Sequence, residues 1–352
     1  MKNIIKGGDI MLSMAIVGMG KMAAEHAKWI DENKDMKLTA ICEKNVKRHT
    51  EIKEKYGVDV YSDIDSLLSS EKDLDFAVIV TTNEVHEELT IKALESGANV
   101  IVEKPMTLTY GSTKRMVAAA EKNKKHLFVH QSSRWDREYL LIKETINSGK
   151  IGDILAIQSK VMLCDEGWPS WGIDGMANPW RIKAKYGGGM LLDWGPHLVD
   201  QMLQLMGEDP IGVYGVLQSG VWSSEVDDHF FAFLKFEGNI LCQIEASNNG
   251  RIDMPRWYVI GTKGTIAVKG KAEPFWDEVE INYIKDDGKK EIEKIKLVGV
   301  CESGLEGGFY EDLVPYLNGK KKDFVSMHEA AKVVKVLEMI KKSSEENRFV
   351  EF

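Results

Sequence analysis

The stretch Met14-Ala15-Ile16-Val17-Gly18-Met19-Gly20-Lys21-Met22-Ala23 leads from an apolar segment directly into a glycine-rich turn, and helical apolar spacing follows it. This order of strand, G-x-G-x-x-A loop and helix is that of the dinucleotide-binding fingerprint. The first glycine permits a tight turn, and the second lets the backbone approach a pyrophosphate at the helix N-terminus. The stretch predicts a nucleotide site with contacts at Gly18, Met19, Gly20, Lys21 and Met22.

The chain continues to alternate between strands and helices up to Gln131. Apolar strands are expected at residues 37–42, 60–61, 76–80, 100–102 and 127–131, with helical patterns between them. Repeated βα units form a parallel, doubly wound sheet. We therefore predict an α/β Rossmann domain over residues 11–131.

The pattern changes after Gln131. Residues 134–148 are predicted to be helical, and strands joined by tight turns are predicted at 154–163, 213–218, 230–236, 240–246, 257–260, 265–268 and 279–284, before helices at 309–317 and 326–345. Such turns are typical of antiparallel sheets. Residues 132–352 are thus expected to form an α+β domain with a large, mostly antiparallel open sheet. Its aromatic content favours a homodimer or homotetramer through that sheet.

Composition narrows the class of partner. The 352 residues carry 46 basic and 55 acidic side chains, and a formal charge of -9 argues against non-specific nucleic-acid or anionic-membrane binding. A small-molecule partner is expected instead. The four cysteines form no C-x-x-C pair and no run approaches the length of a membrane span, so we expect a cytoplasmic protein.

A strand followed by a glycine loop normally opens within a few residues of a domain's start. Here residues 1–10 precede that strand as an extra leader. Lys6-Gly7-Gly8-Asp9 can be encoded by a purine-rich bacterial ribosome-binding sequence at a suitable distance from Met11. We expect translation to start at Met11.

Further cofactor contacts are expected where strands end. Glu43 follows the second strand, where an acid accepts the adenosine ribose hydroxyls and favours NAD. Lys44, Lys47 and Arg48 follow closely, so NADP stays possible. Thr81, Thr82 and Asn83 follow the strand that ends at Val80, and Gln131 ends the last strand of the domain, so all four are also predicted contacts. N-capping of the following helix is an equal role for Thr81, Thr82 and Asn83. His86, on the first turn of that helix, is a further predicted contact, with a structural or capping role as the alternative.

The run Val100-Ile101-Val102-Glu103-Lys104-Pro105 stops abruptly at an acid, a lysine and a proline. It predicts a buried parallel strand whose last residues emerge at the carboxyl edge of the sheet, where open α/β sheets bind ligands. Lys104 is therefore a candidate for chemistry, against the alternative of a solvated lysine.

Three consecutive glycines, Gly187 to Gly189, are interpreted as a flexible approach to a helix that carries Asp193 and His197 on one face. Hydride transfer needs a base, an acid that orients hydroxyls and a cation for developing alkoxide charge. The alternatives are that His197 is a hydrogen-bonded core histidine and that Asp193 is a helix N-cap. Asp200 is assigned to capping or a salt bridge, and no third ligand of suitable spacing supports a metal site.

Four motifs follow one another along the chain: Gly18-x-Gly20-x-x-Ala23, Thr81-x-Asn83-x-x-His86, Glu103-Lys104-Pro105, and the three glycines with Asp193-x-x-x-His197. In this order they resemble the glucose-fructose oxidoreductase / inositol dehydrogenase (Gfo/Idh/MocA) family of NAD(P)-dependent oxidoreductases, over nearly the whole chain. The resemblance implies that Lys104, Asp193 and His197 are catalytic and that Glu103 and Pro105 shape the nicotinamide pocket. The family often has proline where Thr82 stands, which affects the loop near the cofactor but no catalytic group.

The resemblance also implies a sugar, cyclitol or related polyol as the substrate. Aromatic and guanidinium groups suit such ligands, so the predicted sugar-side residues are Arg134, Trp168, Trp171, Trp180, Arg181 and Tyr186. For Trp168, Trp171 and Trp180 a subunit contact or a core role is an equal alternative. Two other functions stay open: a glycosidase that acts through transient oxidation by NAD, and a non-catalytic, cofactor-gated sugar sensor.

Overall fold

The computed structural model describes residues 11–163, 168, 179–269, 276–297 and 307–352. The chain forms two compact units, and the unit changes between Gln131 and Ser132. The segment Gly307–Val334 belongs to the first unit, and Lys335–Phe352 belongs to the second. The predicted domains, 11–131 and 132–352, do not include this late change of unit. The predicted division stays a prediction. The proposed leader lies outside the described residues.

The first unit is built on a six-stranded sheet. Its strands are β1 (Leu12–Val17), β2 (Met36–Cys42), β3 (Asp59–Tyr61), β4 (Phe76–Ile79), β5 (Asn99–Glu103) and β6 (Leu127–His130). They lie in the order β3-β2-β1-β4-β5-β6, and every neighbouring pair is parallel. The predicted Rossmann architecture is confirmed.

Helices connect these strands: α1 (Lys21–Glu32), α2 (His49–Tyr56), α3 (Ile64–Ser70), α4 (His86–Ser96) and α5 (Tyr110–Asn123). Each residue of β4 and β5 is buried, as expected for central parallel strands covered on both faces. Asp63 and Thr109 cap α3 and α5 by accepting from the main-chain N–H three residues on. Because all six strands are parallel, their carboxyl ends meet at one edge.

The second unit contains α6 (Arg137–Asn147), β7 (Ile154–Met162), α7 (Met190–Asp193) and α8 (Gly195–Met206). Its further strands are β8 (Gly212–Gln218), β9 (His229–Lys235), β10 (Leu241–Ser247), β11 (Trp257–Gly261), β12 (Gly264–Lys269), β13 (Glu278–Ile284), β14 (Lys290–Lys296) and β15 (Val350–Glu351). Among the described residues they form one sheet in the order β14-β13-β12-β11-β7-β10-β9-β8-β15. Only the β7 and β10 pair is parallel there, so the predicted mostly antiparallel sheet is confirmed.

The sequence did not indicate β14 or the two-residue β15. The edge strand β14 consists of lysine, glutamate and isoleucine, and its residues alternate between exposed and half-buried. One face of the sheet packs on α8, whose Leu198, Val199 and Met202 are fully buried. The opposite face presents Val216, Leu241 and Tyr258, which are all exposed. A homo-oligomer formed through this face stays a prediction.

The segment that returns to the first unit comprises α9 (Gly308–Leu317) and the start of α10 (Met327–Glu346). Phe324 places its ring centroid 5.0 Å from that of Phe128 in β6 and 4.8 Å from that of Phe309. Late residues therefore complete the core beside the last parallel strand.

In the described part of the chain, no helix combines the length and apolar character needed to cross a membrane. Cys42 and Cys242 are buried free thiols, and burial raises the pKa of each to about 12. Cys164 and Cys301 lie outside the described residues.

We expect Phe324→Ala to lower the free energy of unfolding by about 3–5 kcal/mol, because it removes a buried ring from an aromatic cluster. Urea unfolding followed by fluorescence measures this loss. Phe349→Ala is the matched control, since that ring is 40% exposed. Equal unfolding midpoints for the two variants would contradict the packing described for Phe324.

Candidate functional site in two parts

The glycine loop after β1 passes close to the end of β4. Gly18 has φ +93°, and a Cβ added to it would lie 2.3 Å from the carbonyl oxygen of Val80. Only glycine fits such a position. Gly20 precedes α1, and no side chain among the described residues caps that helix or lies within 4 Å of an added Cβ. Its N-terminal N–H groups therefore fit a pyrophosphate.

Glu43 lies beside this loop at the end of β2. Its carboxylate accepts from the Asn45 main-chain N–H at 2.8 Å and from Arg48 Nη1 at 3.0 Å. The same Arg48 nitrogen donates to the carbonyl of Met19 at 2.7 Å. Arg48 therefore pairs with Glu43, the predicted ribose acceptor, and holds it against the glycine loop.

The residues after β4 link neighbouring loops. Thr82 donates its hydroxyl to Glu84, and Asn83 begins a 3₁₀ turn. His86 is fully buried, with its ring nitrogens 3.0 Å from the Pro105 carbonyl oxygen and 3.2 Å from that of Thr81. Burial lowers the pKa of His86, so the ring is neutral. These contacts fit the structural role that was weighed for His86, and its direct cofactor contact stays a prediction.

Lys104 follows β5 at the same carboxyl edge as the glycine loop, and the Lys104–Pro105 peptide bond is cis. Gln131 follows β6 at that edge. Its side-chain oxygen is buried without a hydrogen-bond partner among the described residues. That oxygen is a suitable acceptor for an amide of a bound ligand. The first unit therefore brings together the glycine loop, Lys104 and Gln131.

Glu103 is buried among hydrogen-bond donors, and the role that the family resemblance implied for it, shaping the nicotinamide pocket, stays a prediction. Its buried carboxylate accepts from His26 Nε2 at 2.9 Å, His130 Nδ1 at 2.7 Å and the Lys104 main-chain N–H at 3.0 Å. The hydroxyl of Tyr310 lies 2.6 Å from His26 Nδ1. With Glu103 ionised, both imidazoles donate to it and the tyrosine donates to His26. We call these four side chains the Glu103 network.

Charge in the Glu103 network follows from these bonds. Burial alone would raise the pKa of Glu103, but His130 and then His26 hold it well below its ordinary value. Burial is the main cause that lowers the pKa of His26 to about 4. Burial, and then the Glu103 charge, raises the pKa of Tyr310 well above its usual range. The network is thus built around the anionic carboxylate of Glu103, with a neutral His26 and a neutral Tyr310 among its members.

His26, Glu103 and His130 are also a group of possible metal ligands, with their ligand atoms within 4.8 Å of one another. Ligand atoms around a tetrahedral zinc lie about 3.3 Å apart. The nitrogen–oxygen separations of 2.7 and 2.9 Å are shorter and are those of hydrogen bonds. The geometry therefore fits a hydrogen-bonded network better than a metal site.

In the second unit, Asp193 ends α7. Its carboxylate accepts from Trp168 Nε1 at 2.9 Å and lies 3.4 Å from Arg181 Nε. The Arg181 guanidinium stacks over the Trp180 ring, 4.5 Å from its centroid. Two predicted sugar-side residues, Trp168 and Arg181, thus hold the carboxylate of the predicted acid, and a third, Trp180, stacks on Arg181.

The prediction that Asp193 and His197 share one helix is wrong. Asp193 closes α7 and His197 lies in the first turn of α8, with Trp194 between the two helices. The glycines before α7 are required by packing. A Cβ added to Gly189, which has φ +106°, would lie 2.3 Å from a carboxylate oxygen of Asp227.

Asp227 explains how α7 begins. Its carboxylate accepts from the Leu191 main-chain N–H at 2.7 Å. Burial raises the pKa of Asp227 to about 7, although the hydrogen bond from Leu191 acts to lower it. The glycine segment is therefore packed against a buried cap, which corrects the interpretation of a flexible approach.

His197 has a partner that the sequence did not indicate. Its Nδ1 lies 3.0 Å from Ser133 Oγ. Asp200 on the same helix forms the predicted salt bridge, with Arg134 nitrogens 2.6 and 2.7 Å from its two carboxylate oxygens. The Arg134 fork is directed at Asp200, and its predicted contact with sugar hydroxyls stays a prediction.

Tyr186 ends the 3₁₀ turn Ala184–Tyr186, with the Lys185 ammonium 4.4 Å from its ring centroid. Trp171 lies outside the described residues. The sequence missed His26, His130, Tyr310 and Ser133, which act through partners far along the chain and belong to no motif.

Comparisons with known proteins identify the family. The profile of the Gfo/Idh/MocA oxidoreductase family with an NAD-binding Rossmann fold matches residues 12–131, and that of the Gfo/Idh/MocA C-terminal domain matches residues 139–267. This protein therefore belongs to the Gfo/Idh/MocA oxidoreductase family.

Individual relatives are similar over different lengths. The crystal structure of an NAD-binding protein from Listeria innocua is 31% identical with a TM-score of 0.81, over 97% of this chain and 96% of that one. An uncharacterized oxidoreductase of Schizosaccharomyces pombe is 31% identical over 52% of this chain, which spans about half (48%) of that relative's length. The D-glucoside 3-dehydrogenase of Escherichia coli K12 is 27% identical over 67% of this chain and 70% of its own.

The Glu103 network predicts a pH-dependent stability. Since the pKa of His26 falls from 6.5 to about 4 on folding, the unfolded chain takes up a proton first as the pH falls. Stability is then lost between these two values, by about 1.4 kcal/mol per pH unit for one proton. Urea unfolding at a series of pH values should show a shallower decline in His26→Asn. The exposed His328 provides the control His328→Asn, and an unchanged slope in His26→Asn would contradict the assignment.

Proposed function

We propose that this protein transfers a hydride between a nicotinamide cofactor and a hydroxyl or ketone carbon of a sugar, cyclitol or related polyol. The observation that carries the proposal is the shared sheet edge at which the β1 glycine loop and Lys104 lie. Open α/β sheets bind ligands at that edge.

The residues of the first unit fit a dinucleotide. The N-terminus of α1 would hold the pyrophosphate, Glu43 would accept from the ribose hydroxyls, and Gln131 would accept from an amide. When bound, the cofactor's nicotinamide ring supplies the hydride acceptor or donor. We favour NAD over NADP, because the carboxylate of Glu43 opposes a 2′-phosphate and Arg48 already pairs with that carboxylate.

In the oxidation direction, His197 takes the proton from the substrate hydroxyl as the hydride leaves the same carbon. The Lys104 ammonium stabilises the alkoxide charge that develops. Asp193, held by Trp168 and Arg181, accepts from a neighbouring hydroxyl and orients the substrate. Reduction of a ketone reverses these transfers.

Two observations support the substrate class. The stacked Trp180 and Arg181 offer an aromatic face and a guanidinium beside Asp193, and such groups bind sugar rings and hydroxyls. The E. coli relative is named for dehydrogenation of a D-glucoside. The particular sugar and the oxidised carbon are to be found by testing sugars, inositols and sugar acids with NAD and NADP.

We expect Lys104→Ala to lower kcat by at least about a hundredfold while the Kd for NAD changes little, because the ammonium acts on the alkoxide. Steady-state NADH formation on the best substrate of that panel and NAD titration by calorimetry measure the two effects. The exposed Lys53 gives the control Lys53→Ala, which should retain wild-type turnover. Wild-type turnover in Lys104→Ala would reject the assignment of Lys104.

A further inference from the structure

The loop 219–228, which joins β8 to β9, carries polar groups that contact the segment leading into α7. Ser223 donates its hydroxyl to the Ile182 carbonyl oxygen at 2.8 Å. Glu225 accepts from the Lys183 ammonium at 2.8 Å and from the next main-chain N–H at 3.3 Å. The loop therefore holds the beginning of this segment through two side chains that no sequence motif marks.

Asp227, in the same loop, holds the end of the segment. Its main-chain carbonyl accepts from the Met190 N–H at 3.0 Å, and its carboxylate Oδ2 accepts from the Leu191 N–H at 2.7 Å. The other carboxylate oxygen is packed against Gly189, since a Cβ added to that glycine would lie 2.3 Å from it. One aspartate thus fixes the first turn of α7 through both its main chain and its side chain.

Gly189 links this turn to the two charged groups of the substrate side. Its N–H donates to the Arg181 carbonyl oxygen at 2.8 Å, and its own carbonyl accepts from the Asp193 N–H at 3.0 Å. The ring closes where the Asp193 carboxylate lies 3.4 Å from Arg181 Nε. Because Asp227 contacts the glycine that joins these two residues, a change at Asp227 would displace both of them.

The neighbouring acid, Asp228, makes the loop itself a firm support. It is buried, and its carboxylate accepts from the main-chain N–H groups of Val221 and Trp222, each at 2.9 Å. Its other oxygen accepts from the Asn249 side-chain amide at 2.8 Å. Two consecutive acids therefore have separate roles: Asp228 closes the loop, and Asp227 connects the loop to α7.

We propose that the loop 219–228, chiefly through Asp227, positions the Asp193 carboxylate and the Arg181 guanidinium to bind the sugar hydroxyls. This inference rests on the proposed function, in which Asp193 orients the substrate. Asp227 is a positioning residue, because it acts through those two side chains. Its loss should therefore weaken substrate binding more than it slows the chemical step.

The kinetic test compares Asp227→Ala with Asp227→Asn, which keeps an acceptor oxygen. We expect Asp227→Ala to raise the KM for the sugar at least about tenfold, to lower kcat by a smaller factor and to leave the Kd for NAD unchanged. Asp227→Asn should return KM to within about threefold of the wild type. A lower kcat with an unchanged KM in Asp227→Ala would indicate a merely structural aspartate and would overturn the proposal.

The control is Ser326→Ala, which removes a helix cap from the first unit. Ser326 accepts from the Glu329 N–H at 3.2 Å at the start of α10. Its loss lowers stability by about 1 kcal/mol, as expected for a helix cap. It should leave KM in place. A rise of KM in this control equal to that in Asp227→Ala would assign the effect to general destabilisation and overturn the proposal.

A second readout needs no substrate. The Trp168 indole N–H reports the position of Asp193, because it donates to that carboxylate at 2.9 Å. Proton–nitrogen NMR of protein labelled at its nine tryptophans detects this group, and Trp168→Phe identifies its signal. We expect the signal to move upfield in Asp227→Ala, because a longer hydrogen bond deshields the proton less. It should stay in place in Ser326→Ala, and an unmoved signal in Asp227→Ala would overturn the proposal.

A double variant, Ser223→Ala with Glu225→Ala, keeps the test decisive if Asp227→Ala fails to fold. Ser223 is half-buried and the Glu225 side chain is 44% exposed, so their removal spares the core. We expect the Trp168 signal to move in the same direction, and KM to rise about two- to threefold. An unchanged signal together with an unchanged KM in this double variant would overturn the role of the loop.

The NMR readout separates this inference from the proposed function. A Trp168 signal that moves in Asp227→Ala, with no turnover of any sugar by the wild type, would support the role of Asp227 and reject the proposed reaction. Turnover by the wild type, with an unmoved signal and an unchanged KM in Asp227→Ala, would support the reaction and reject the role of Asp227.

Discussion

The buried carboxylate of Glu103 is the constraint on which the first part of the site depends. Burial of a carboxylate costs several kcal/mol unless donors replace its water. Here three donors do so, from His26 on α1, His130 on β6 and the main chain of Lys104. Because these donors come from separate elements, one charge fixes the end of β5 relative to the helix that begins at the glycine loop.

The same interaction explains why the late segment Gly308–Leu317 belongs to the first unit. Tyr310 donates to His26 from this helix, and Phe309 packs edge to face on His130, with centroids 4.9 Å apart. The helix supplies both the last donor of the network and the apolar cover that keeps water from Glu103. The network that holds the main chain of Lys104 is therefore complete only with this late helix packed in the first unit.

The second part of the site follows a similar rule, in which each acid receives a distinct partner. Asp193 is held by an indole and a guanidinium, Asp200 by Arg134, and Asp227 by the N-terminus of α7. His197, on the neighbouring helix, has the Ser133 hydroxyl 3.0 Å from its Nδ1.

Sequence reasoning succeeded where function follows from local order. Gly18 and Lys104 stand directly after strands, so strand prediction alone assigned both to the ligand-binding edge. It could not find contacts between distant residues: His26 and Glu103 are 77 positions apart, and Ser133 and His197 are 64 apart. It also misjudged Gly189, because the contact with Asp227 that requires a glycine there exists only in the folded chain.

Direct transfer of hydrogen from substrate carbon to the cofactor is the central claim, and isotope transfer tests it most directly. The wild-type protein would be incubated with NAD and a sugar or inositol deuterated at the carbon that bears the reacting hydroxyl, and the reduced cofactor analysed by mass spectrometry. One deuterium per molecule of NADH formed is the predicted result. Conversion of the substrate with no deuterium in the cofactor would contradict hydride transfer at this site.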